Sequence, residues 1–299
     1  MKFRIAGIRR TSVAATVTLT AGAVIAGGAL ATTAQAATVP TPTVVAPGGF
    51  VMNNANASTL YSKGADTRRA TGSTTKIMTA KVVLAQKNLN LNSTVTIQKA
   101  YSDYIVAKGA SSAHLIVGDK VTVRQLLYGL MLPSGCDAAY ALADKFGVGT
   151  TRAARVKSFL GKMNADAKAL GLKNTHFDSF DGISNGSNYS TPRDLTKIAS
   201  SAMKNSTFRA VVATKSTKQK VITKSGGYRY MSWTNTNKLL SSYSGMIGVK
   251  TGSGSNAKYC LVFAATRNGK TVIGAVLAST SEATRTTDVK KLLDYGFKK

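Results

Sequence analysis

The 299-residue chain contains only two histidines and two cysteines, and their positions exclude two common kinds of active site. None of His114, His176, Cys136 and Cys260 lies at short ligand spacing from another, so we predict no zinc site and no cofactor. A serine hydrolase that uses histidine as its base would need His114 or His176, and neither lies in a nucleophile-elbow motif. The chemistry of this chain is therefore expected from serine, threonine and lysine side chains.

The two cysteines would be able to pair in an oxidising compartment. Cys136, however, belongs to a Ser-Gly-Cys loop, and Cys260 lies in the apolar stretch of residues 259–265, where a small core residue is expected. We therefore predict two free thiols.

The N-terminal residues have the pattern of an export signal. An uncharged stretch ends in Ala34-Gln35-Ala36, a small-x-small cleavage pattern. It is preceded by four cations, Lys2, Arg4, Arg9 and Arg10. A permanent anchor is the alternative, but residues 11–31 are rich in Thr and Gly and poor in large apolar residues. We predict a signal peptide at residues 1–36 and an exported mature chain at residues 37–299, at the cell wall or the outer face of the membrane.

Acidic residues are scarce, with 12 Asp and Glu against 40 Lys and Arg and a net charge of +28. Inside a cell this balance would indicate nucleic acid as a partner. The export signal argues against nucleic acid, and so does the lack of an interleaved basic-aromatic motif. Anionic wall polymers or lipid headgroups are the better candidates, and a generally basic soluble surface is the alternative.

Three short polar clusters occur in a fixed order: Ser73-Thr74-Thr75-Lys76, Ser134-Gly135-Cys136 and Lys250-Thr251-Gly252. A serine hydroxyl is a poor nucleophile until a base removes its proton. On a helix, the spacing of Ser73 and Lys76 places both side chains on one face, about one turn apart. A second hydroxyl in a loop and a second lysine on a strand would complete a serine acyl-transfer site without histidine.

Two decoys show that each cluster alone is a weak signal. Residues 201–204 also fit S-x-x-K, but they fall late in a helix that starts at Thr191-Pro192. Residues 224–226 also fit K-[ST]-G, but they lie in a polar turn. Ser73 instead opens an apolar helical pattern, and Lys250 ends the apolar approach of residues 246–249.

The pattern along the chain predicts strands at both ends and helices between them, which is an α+β fold with an antiparallel sheet and an inserted helical lobe. The predicted strands are residues 50–53, 59–62, 94–97, 246–251, 258–266 and 271–279. The predicted helices are residues 75–87, 123–131, 138–145, 152–170, 192–204 and 287–295. Asn268-Gly269 predicts a hairpin turn, Thr122 to Gln125 a capping box, and Asp137 a helix cap.

The three clusters, taken with their flanking residues, resemble the low-molecular-mass penicillin-binding DD-peptidases, and most closely the Streptomyces-type DD-transpeptidases. The similar stretches are residues 73–80, 132–139 and 248–254, with further similarity at residues 128–131 and 176–182. The resemblance covers essentially the whole chain after the leader. It implies a penicillin-binding, β-lactamase-like fold whose core is residues 37–80 and 205–299, with a helical lobe at residues 81–204 and the active site in the cleft between them.

The residues themselves suggest their roles. Ser73 is the predicted nucleophile and Lys76 its base, because burial and the positive charge of Lys250 would favour a neutral lysine. Ser134, the hydroxyl of the second cluster, can relay a proton between Lys76 and the leaving amine. Lys250 and Thr251 would bind a substrate carboxylate as a charge and a hydroxyl donor.

The resemblance adds a substrate class and two further contacts. It implies a stem peptide ending in D-Ala-D-Ala, β-lactams that acylate Ser73, and an oxyanion hole made by the N–H groups of Ser73 and Ser253. Gly252 and Cys136 would also line the substrate site. Many relatives carry asparagine where this chain has Cys136, and a thiol is a weak hydrogen-bonding group. Whether Cys136 is a small packed residue or tunes the choice of acceptor is left open.

Competing functions differ in what they require. A class A β-lactamase needs a glutamate to activate water, and the one glutamate, Glu282, follows all three motifs. A non-enzymatic wall-binding protein would explain the charge but not Ser73, Lys76 and Lys250. Because no obvious residue prepares a hydrolytic water, we predict mainly DD-transpeptidase activity, with D-alanyl-D-alanine carboxypeptidase activity as the alternative.

Overall fold

The computed structural model describes residues 39–183 and 186–299, so the predicted signal peptide lies outside the described residues. Residues 39–299 belong to one structural unit. Within the described ranges, no helix is long and apolar enough to cross a membrane.

Nine strands in the described part of the chain form two antiparallel sheets. The strands are β1 Gly48–Asn53, β2 Thr59–Lys63, β3 Thr94–Thr96, β4 Lys120–Thr122, β5 Ser216–Ile222, β6 Tyr228–Thr234, β7 Met246–Gly254, β8 Lys258–Arg267 and β9 Lys270–Ser279. The order β2-β1-β9-β8-β7 joins both chain ends in one sheet, as predicted. The smaller sheet has the order β3-β4-β5-β6, and of its strands only β3 was predicted.

Helices pack against the main sheet and occupy much of the chain between its strands. They are α1 Lys76–Leu84, α2 Lys99–Lys108, α3 Val123–Met131, α4 Cys136–Phe146, α5 Arg152–Ala169, α6 Pro192–Ala202, α7 Ser206–Ala213, α8 Leu239–Ser242 and α9 Glu282–Lys298. The sequence did not predict α2, α7 and α8. It ended α1 three residues too late, and it placed the start of α9 five residues too late.

Helices cover both faces of the main sheet, which explains the long apolar runs of its central strands β1, β8 and β9. In β1, Phe50 and Met52 pack in a core with α6, whereas Val51 between them packs in a second core with α9. Successive side chains of a strand point to opposite faces, so a strand buried on both sides needs an unbroken apolar run. The Asn268-Gly269 turn between β8 and β9 is confirmed, with φ of +48° and +76°.

The predicted capping box at the start of α3 is confirmed. The Thr122 hydroxyl accepts the Gln125 N–H at 3.2 Å, and the Gln125 side chain accepts the Thr122 N–H at 2.9 Å. Two N–H groups that the first turn leaves without helical partners are thereby satisfied.

The Thr122→Ala variant is therefore expected to lower the free energy of unfolding by about 1 kcal/mol. Urea denaturation followed by circular dichroism measures this change. Thr150→Ala, at an exposed threonine, is the control and is expected to stay within about 0.5 kcal/mol of wild type. Equal stabilities of Thr122→Ala and Thr150→Ala would contradict a role for the capping box.

The prediction that Asp137 is the helix cap is wrong, because α4 begins at Cys136, two residues earlier than predicted, and Gly135 is its N-cap. Asp137 lies in the first turn, where its carboxylate accepts the Ala138 N–H at 2.9 Å and also accepts three hydrogen bonds from a neighbouring loop. The donors are the N–H of Ala113 at 2.8 Å, the N–H of Leu115 at 3.1 Å and the Ser112 hydroxyl at 2.8 Å. Asp137 thus fixes the loop that runs beside the Ser134-Gly135-Cys136 segment.

The structure separates the decoys from the main clusters and confirms the two free thiols. Lys224 is exposed in the turn between β5 and β6, and Ser201 lies on the penultimate position of α6. Cys136 and Cys260 are both buried and unpaired.

Candidate active site

Ser73 lies in a single 3-10 turn, Gly72–Thr75, that leads directly into α1. Gly72 has a φ of +48°, and a Cβ atom there would lie 2.7 Å from the Ser253 carbonyl oxygen. Only glycine tolerates both this conformation and the close approach of β7. The turn therefore places Ser73 between the N-terminus of α1 and the end of β7.

Lys76 contacts Ser73 directly from the first residue of α1. Its Nζ lies 2.8 Å from Ser73 Oγ, a distance over which a proton can be transferred. The same nitrogen lies 3.0 Å from the Asp181 carbonyl oxygen and 3.2 Å from Cys136 Sγ. Because Lys76 is fully buried, these partners hold its amine in one position against the serine.

The second cluster, Ser134-Gly135-Cys136, lies at the start of α4, next to Lys76. Ser134 has a φ of +67° and is almost fully buried. The Ser111 hydroxyl donates to the Ser134 carbonyl oxygen at 2.6 Å and lies 3.5 Å from Cys136 Sγ. Ser111 thus ties the loop after α2 to the segment that carries Ser134 and Cys136.

The third cluster lies on β7. The buried Lys250 Nζ donates to the Thr251 carbonyl oxygen at 3.1 Å, and the Thr251 hydroxyl lies 2.6 Å from the Thr236 hydroxyl. A Cβ atom on Gly252 would lie 2.9 Å from the Thr71 carbonyl oxygen. Glycine at position 252 therefore lets β7 pack against the turn that carries the nucleophile.

Burial and neighbouring positive charges act on Lys250. The pKa of Lys250 is held well below its usual value, first by burial and then by the positive charges of Lys76 and Arg285. Burial raises the pKa of the Cys136 thiol, and the nearby Lys76 ammonium opposes that rise. The site therefore disfavours a second positive charge and keeps Cys136 a neutral thiol at neutral pH.

All three clusters meet at one cleft of about 750 Å³. The predicted site residues that line it are Ser73, Ser134, Cys136, Thr251, Gly252 and Ser253. Lys76 and Lys250 are not among its lining residues: both are buried, and their amines contact the lining residues Ser73, Cys136 and Thr251. Within the described ranges, no three His, Cys, Asp or Glu side chains lie close enough to hold a metal ion.

Several residues at the cleft were not identified from the sequence. Ser111, Thr236 and Arg285 line it, and the Asp181 carbonyl oxygen holds Lys76. Glu282 also lines the cleft, which its late position in the chain did not suggest. Its carboxylate, however, lies 3.2 Å from Lys238 Nζ and 3.6 Å from Arg285, so it is engaged in ion pairs.

A serine hydroxyl held by a buried lysine, facing a second serine and a second lysine, is the arrangement of a serine acyl-transfer enzyme of the lysine-assisted class. A family model described as D-alanyl-D-alanine carboxypeptidase, peptidase family S11, matches residues 33–281. The chain belongs to this family of serine peptidases.

Two relatives from Streptomyces and Mycobacterium are similar over most of their length. The D-alanyl-D-alanine carboxypeptidase of Streptomyces sp. (strain K15) is 71% identical over 285 residues, which cover 95% of this chain and 98% of that protein. The crystal structure of a Streptomyces K15 DD-transpeptidase is 75% identical, with a TM-score of 0.86, and the match covers 87% of this chain and 99% of that one. A D-alanyl-D-alanine carboxypeptidase of Mycobacterium tuberculosis is 32% identical over 87% of this chain and 84% of its own.

Proposed function

We propose that this chain is an exported serine-type D-alanyl-D-alanine peptidase that acts on cell-wall stem peptides through a Ser73 acyl-enzyme and transfers the acyl group mainly to an amine. The observation that carries this function is the 2.8 Å contact between Ser73 Oγ and the buried Lys76 Nζ. In this proposal, residues 1–36 are a signal peptide and residues 37–299 the mature enzyme, with a core of residues 37–80 and 205–299 and a lobe of residues 81–204.

Acylation would begin when neutral Lys76 takes the proton of Ser73 and Ser73 Oγ attacks the carbonyl carbon of the penultimate D-Ala. The N–H groups of Ser73 and Ser253 would stabilise the oxyanion, and the N-terminus of α1 favours negative charge there. Collapse of the intermediate breaks the peptide bond. The proton passes from Lys76 through Ser134 to the leaving D-Ala amine.

The positive charge of the cleft supports recognition of a free C-terminal carboxylate. Lys250 is buried next to the lining, with its amine against Thr251. Thr251 itself lines the cleft, and Arg285 from α9 adds a further cation to the wall. Arg285 is itself buried, which lowers its pKa, and its charge is only partly balanced by Glu282. An anionic chain end would relieve the repulsion among these cations.

Lys250→Met is expected to lower kcat/KM for a donor with a free C-terminal carboxylate by about 10- to 100-fold. Cleavage of the same donor amidated at its C-terminus should change little. Since Lys250 carries its charge only below its lowered pKa, the wild-type preference for carboxylate over amide should decline as the pH rises. Lys224→Met is the control; equal losses on both donors would contradict carboxylate recognition by Lys250.

The fate of the acyl-enzyme is the finer part of the proposal. The cleft presents one carboxylate from the described residues, Glu282, and its ion pairs with Lys238 and Arg285 leave it poorly suited to activate water. The carboxypeptidase alternative is favoured by the names of the Streptomyces and Mycobacterium relatives.

Product analysis distinguishes the two outcomes. With a D-Ala-D-Ala donor and a primary amine such as glycylglycine, we expect the transfer product to dominate and the hydrolysed donor to decrease. In the absence of the amine, turnover of the donor should be slow. In a separate reaction with penicillin, the penicilloyl adduct should be long-lived. Rapid hydrolysis that the amine does not diminish would assign the enzyme as a carboxypeptidase.

A further inference from the structure

The outer face of the β5–β6 hairpin combines aromatic, aliphatic and cationic side chains, all remote in sequence from the catalytic clusters. Tyr228 and Tyr230 are 60% and 54% exposed, and Ile222, which pairs with Tyr228, is 47% exposed. Lys218 and Lys220 share this face, because alternate residues of a strand point to the same side. These five residues are termed the hairpin patch.

The opposite side of the hairpin belongs to the core. Val221, Met231 and Trp233 are buried there, and Trp233 donates from its ring nitrogen to the Ala113 carbonyl oxygen at 2.8 Å. Burial of that face anchors the hairpin and leaves the hairpin patch uncovered. Exposed apolar groups clustered on an anchored surface mark an interaction site.

Apolar exposure continues at the turn end of the hairpin. Ile116 and Val117 are exposed, and the adjacent Gly118 backbone packs against the side chain of Lys224. The turn end therefore brings aliphatic side chains and a further lysine beside the hairpin patch.

The charge of this region has one sign. Residues 216–234 contain Lys218, Lys220, Lys224 and Arg229 but no acidic residue. Asp119, on the neighbouring segment, is fully buried and pairs with Arg229 at 2.9 Å. An anionic surface is the electrostatic complement of such a region.

The arrangement of the Tyr228 and Tyr230 rings indicates which kind of anionic surface the hairpin patch can bind. The two rings meet at 80° with centroids 5.9 Å apart, so they do not form a flat platform for stacking on sugar rings. The Lys220 and Lys218 ammonium groups lie over the rings of Tyr228 and Tyr230 at 3.9 and 4.6 Å. Each tyrosine thus presents an apolar body beside a fixed cation.

We propose that the hairpin patch docks the protein on a lipid bilayer that contains anionic headgroups. Tyrosine favours the boundary between headgroups and acyl chains, where its ring is apolar and its hydroxyl hydrated. Ile222 enters the same boundary, and the lysines bind lipid phosphates, with their stems along the apolar surface. A hydrated wall polymer would satisfy the lysines but would offer no apolar phase for Ile222. This docking does not depend on the peptidase activity.

Vesicle sedimentation tests the proposal on residues 39–299. Residues 39–299 form one structural unit by themselves, and the crystallised Streptomyces relative matches 87% of this chain with 99% of its own. Binding is measured to phosphatidylcholine vesicles with and without phosphatidylglycerol. The variants are Lys218→Gln/Lys220→Gln/Lys224→Gln and Tyr228→Ser/Tyr230→Ser. A control of equal charge change replaces three exposed lysines elsewhere by glutamine, namely Lys145, Lys157 and Lys168.

We expect wild type to bind the anionic vesicles and not the neutral ones. Loss of the three hairpin lysines should weaken binding by about a hundredfold, at roughly fivefold per lysine. The tyrosine variant should bind the anionic vesicles at least tenfold more weakly than wild type, and the control triple variant should lose much less. All three variants should react with penicillin at the wild-type rate, which shows that they fold. Three results would each overturn the proposal. The hairpin and control lysine variants could lose vesicle binding equally, or the tyrosine variant could bind vesicles like wild type. Wild type could also bind soluble poly(glycerol phosphate) but not vesicles.

Discussion

Ser73→Ala is expected to abolish covalent labelling by penicillin and all turnover of a D-Ala-D-Ala donor. The hydroxyl is the group that would carry the acyl chain. The other nucleophilic group beside Lys76 is the Cys136 thiol, and burial raises its pKa, which disfavours the reactive thiolate. The substitution removes one oxygen from a half-buried position, so the fold should persist. Labelling is measured with a fluorescent penicillin on denaturing gels, and folding by circular dichroism.

Ser201→Ala is the matched control, because Ser201 and Lys204 repeat the S-x-x-K spacing on α6. Residue 204 falls after the end of that helix, and neither residue lines the cleft. We expect Ser201→Ala to label at the wild-type rate. Normal labelling of Ser73→Ala together with a loss in Ser201→Ala would show that the motif was assigned to the wrong serine.

Lys76→Met is expected to slow acylation by about a hundredfold or more, the usual worth of a positioned acid–base group. Methionine keeps much of the length of lysine in the fully buried position but cannot accept the proton of Ser73. Stopped-flow measurement with a chromogenic β-lactam gives the acylation rate constant separately from affinity. Lys81→Met is the control: this lysine also lies on α1, where it pairs with Asp166 at 2.7 Å.

Ser134→Ala should likewise slow acylation by about a hundredfold if Ser134 relays the proton to the leaving group. An unchanged acylation rate constant with weaker binding would contradict proton transfer by either residue. A large effect of Lys81→Met would instead point to disruption of α1.

Local signals allowed the sequence to predict the main sheet and most of the longer helices. Asn268-Gly269 and the Thr122 to Gln125 box act through neighbouring residues, so their patterns are readable without the fold. The smaller sheet was missed because β5 opens with five polar or charged residues, and its turn carries Gly-Gly after Lys-Ser. β5 and β6 pair along seven residues, but a single pair, Lys120 with Ile222, joins them to β4 across a long sequence separation.

The site was predictable where chemistry requires a particular side chain, as at Ser73 and Lys250. It was not predictable where the backbone acts, because a carbonyl such as that of Asp181 carries no residue signature. Glu282 and Arg285 reach the cleft only because α9 packs against the main sheet, a contact that local patterns do not contain. Asp137 was misassigned because three of its four hydrogen-bond partners lie more than 20 residues away.

Mass spectrometry of the penicillin adduct tests the central claim most directly. Trypsin cuts after Arg69 and Lys76 and after Lys197 and Lys204, so Ser73 and Ser201 fall in separate short peptides. We predict one penicilloyl group per chain, carried by Ser73 in the peptide of residues 70–76. An adduct on any other peptide, or a folded protein that forms no covalent adduct, would contradict the assignment of Ser73 as the nucleophile.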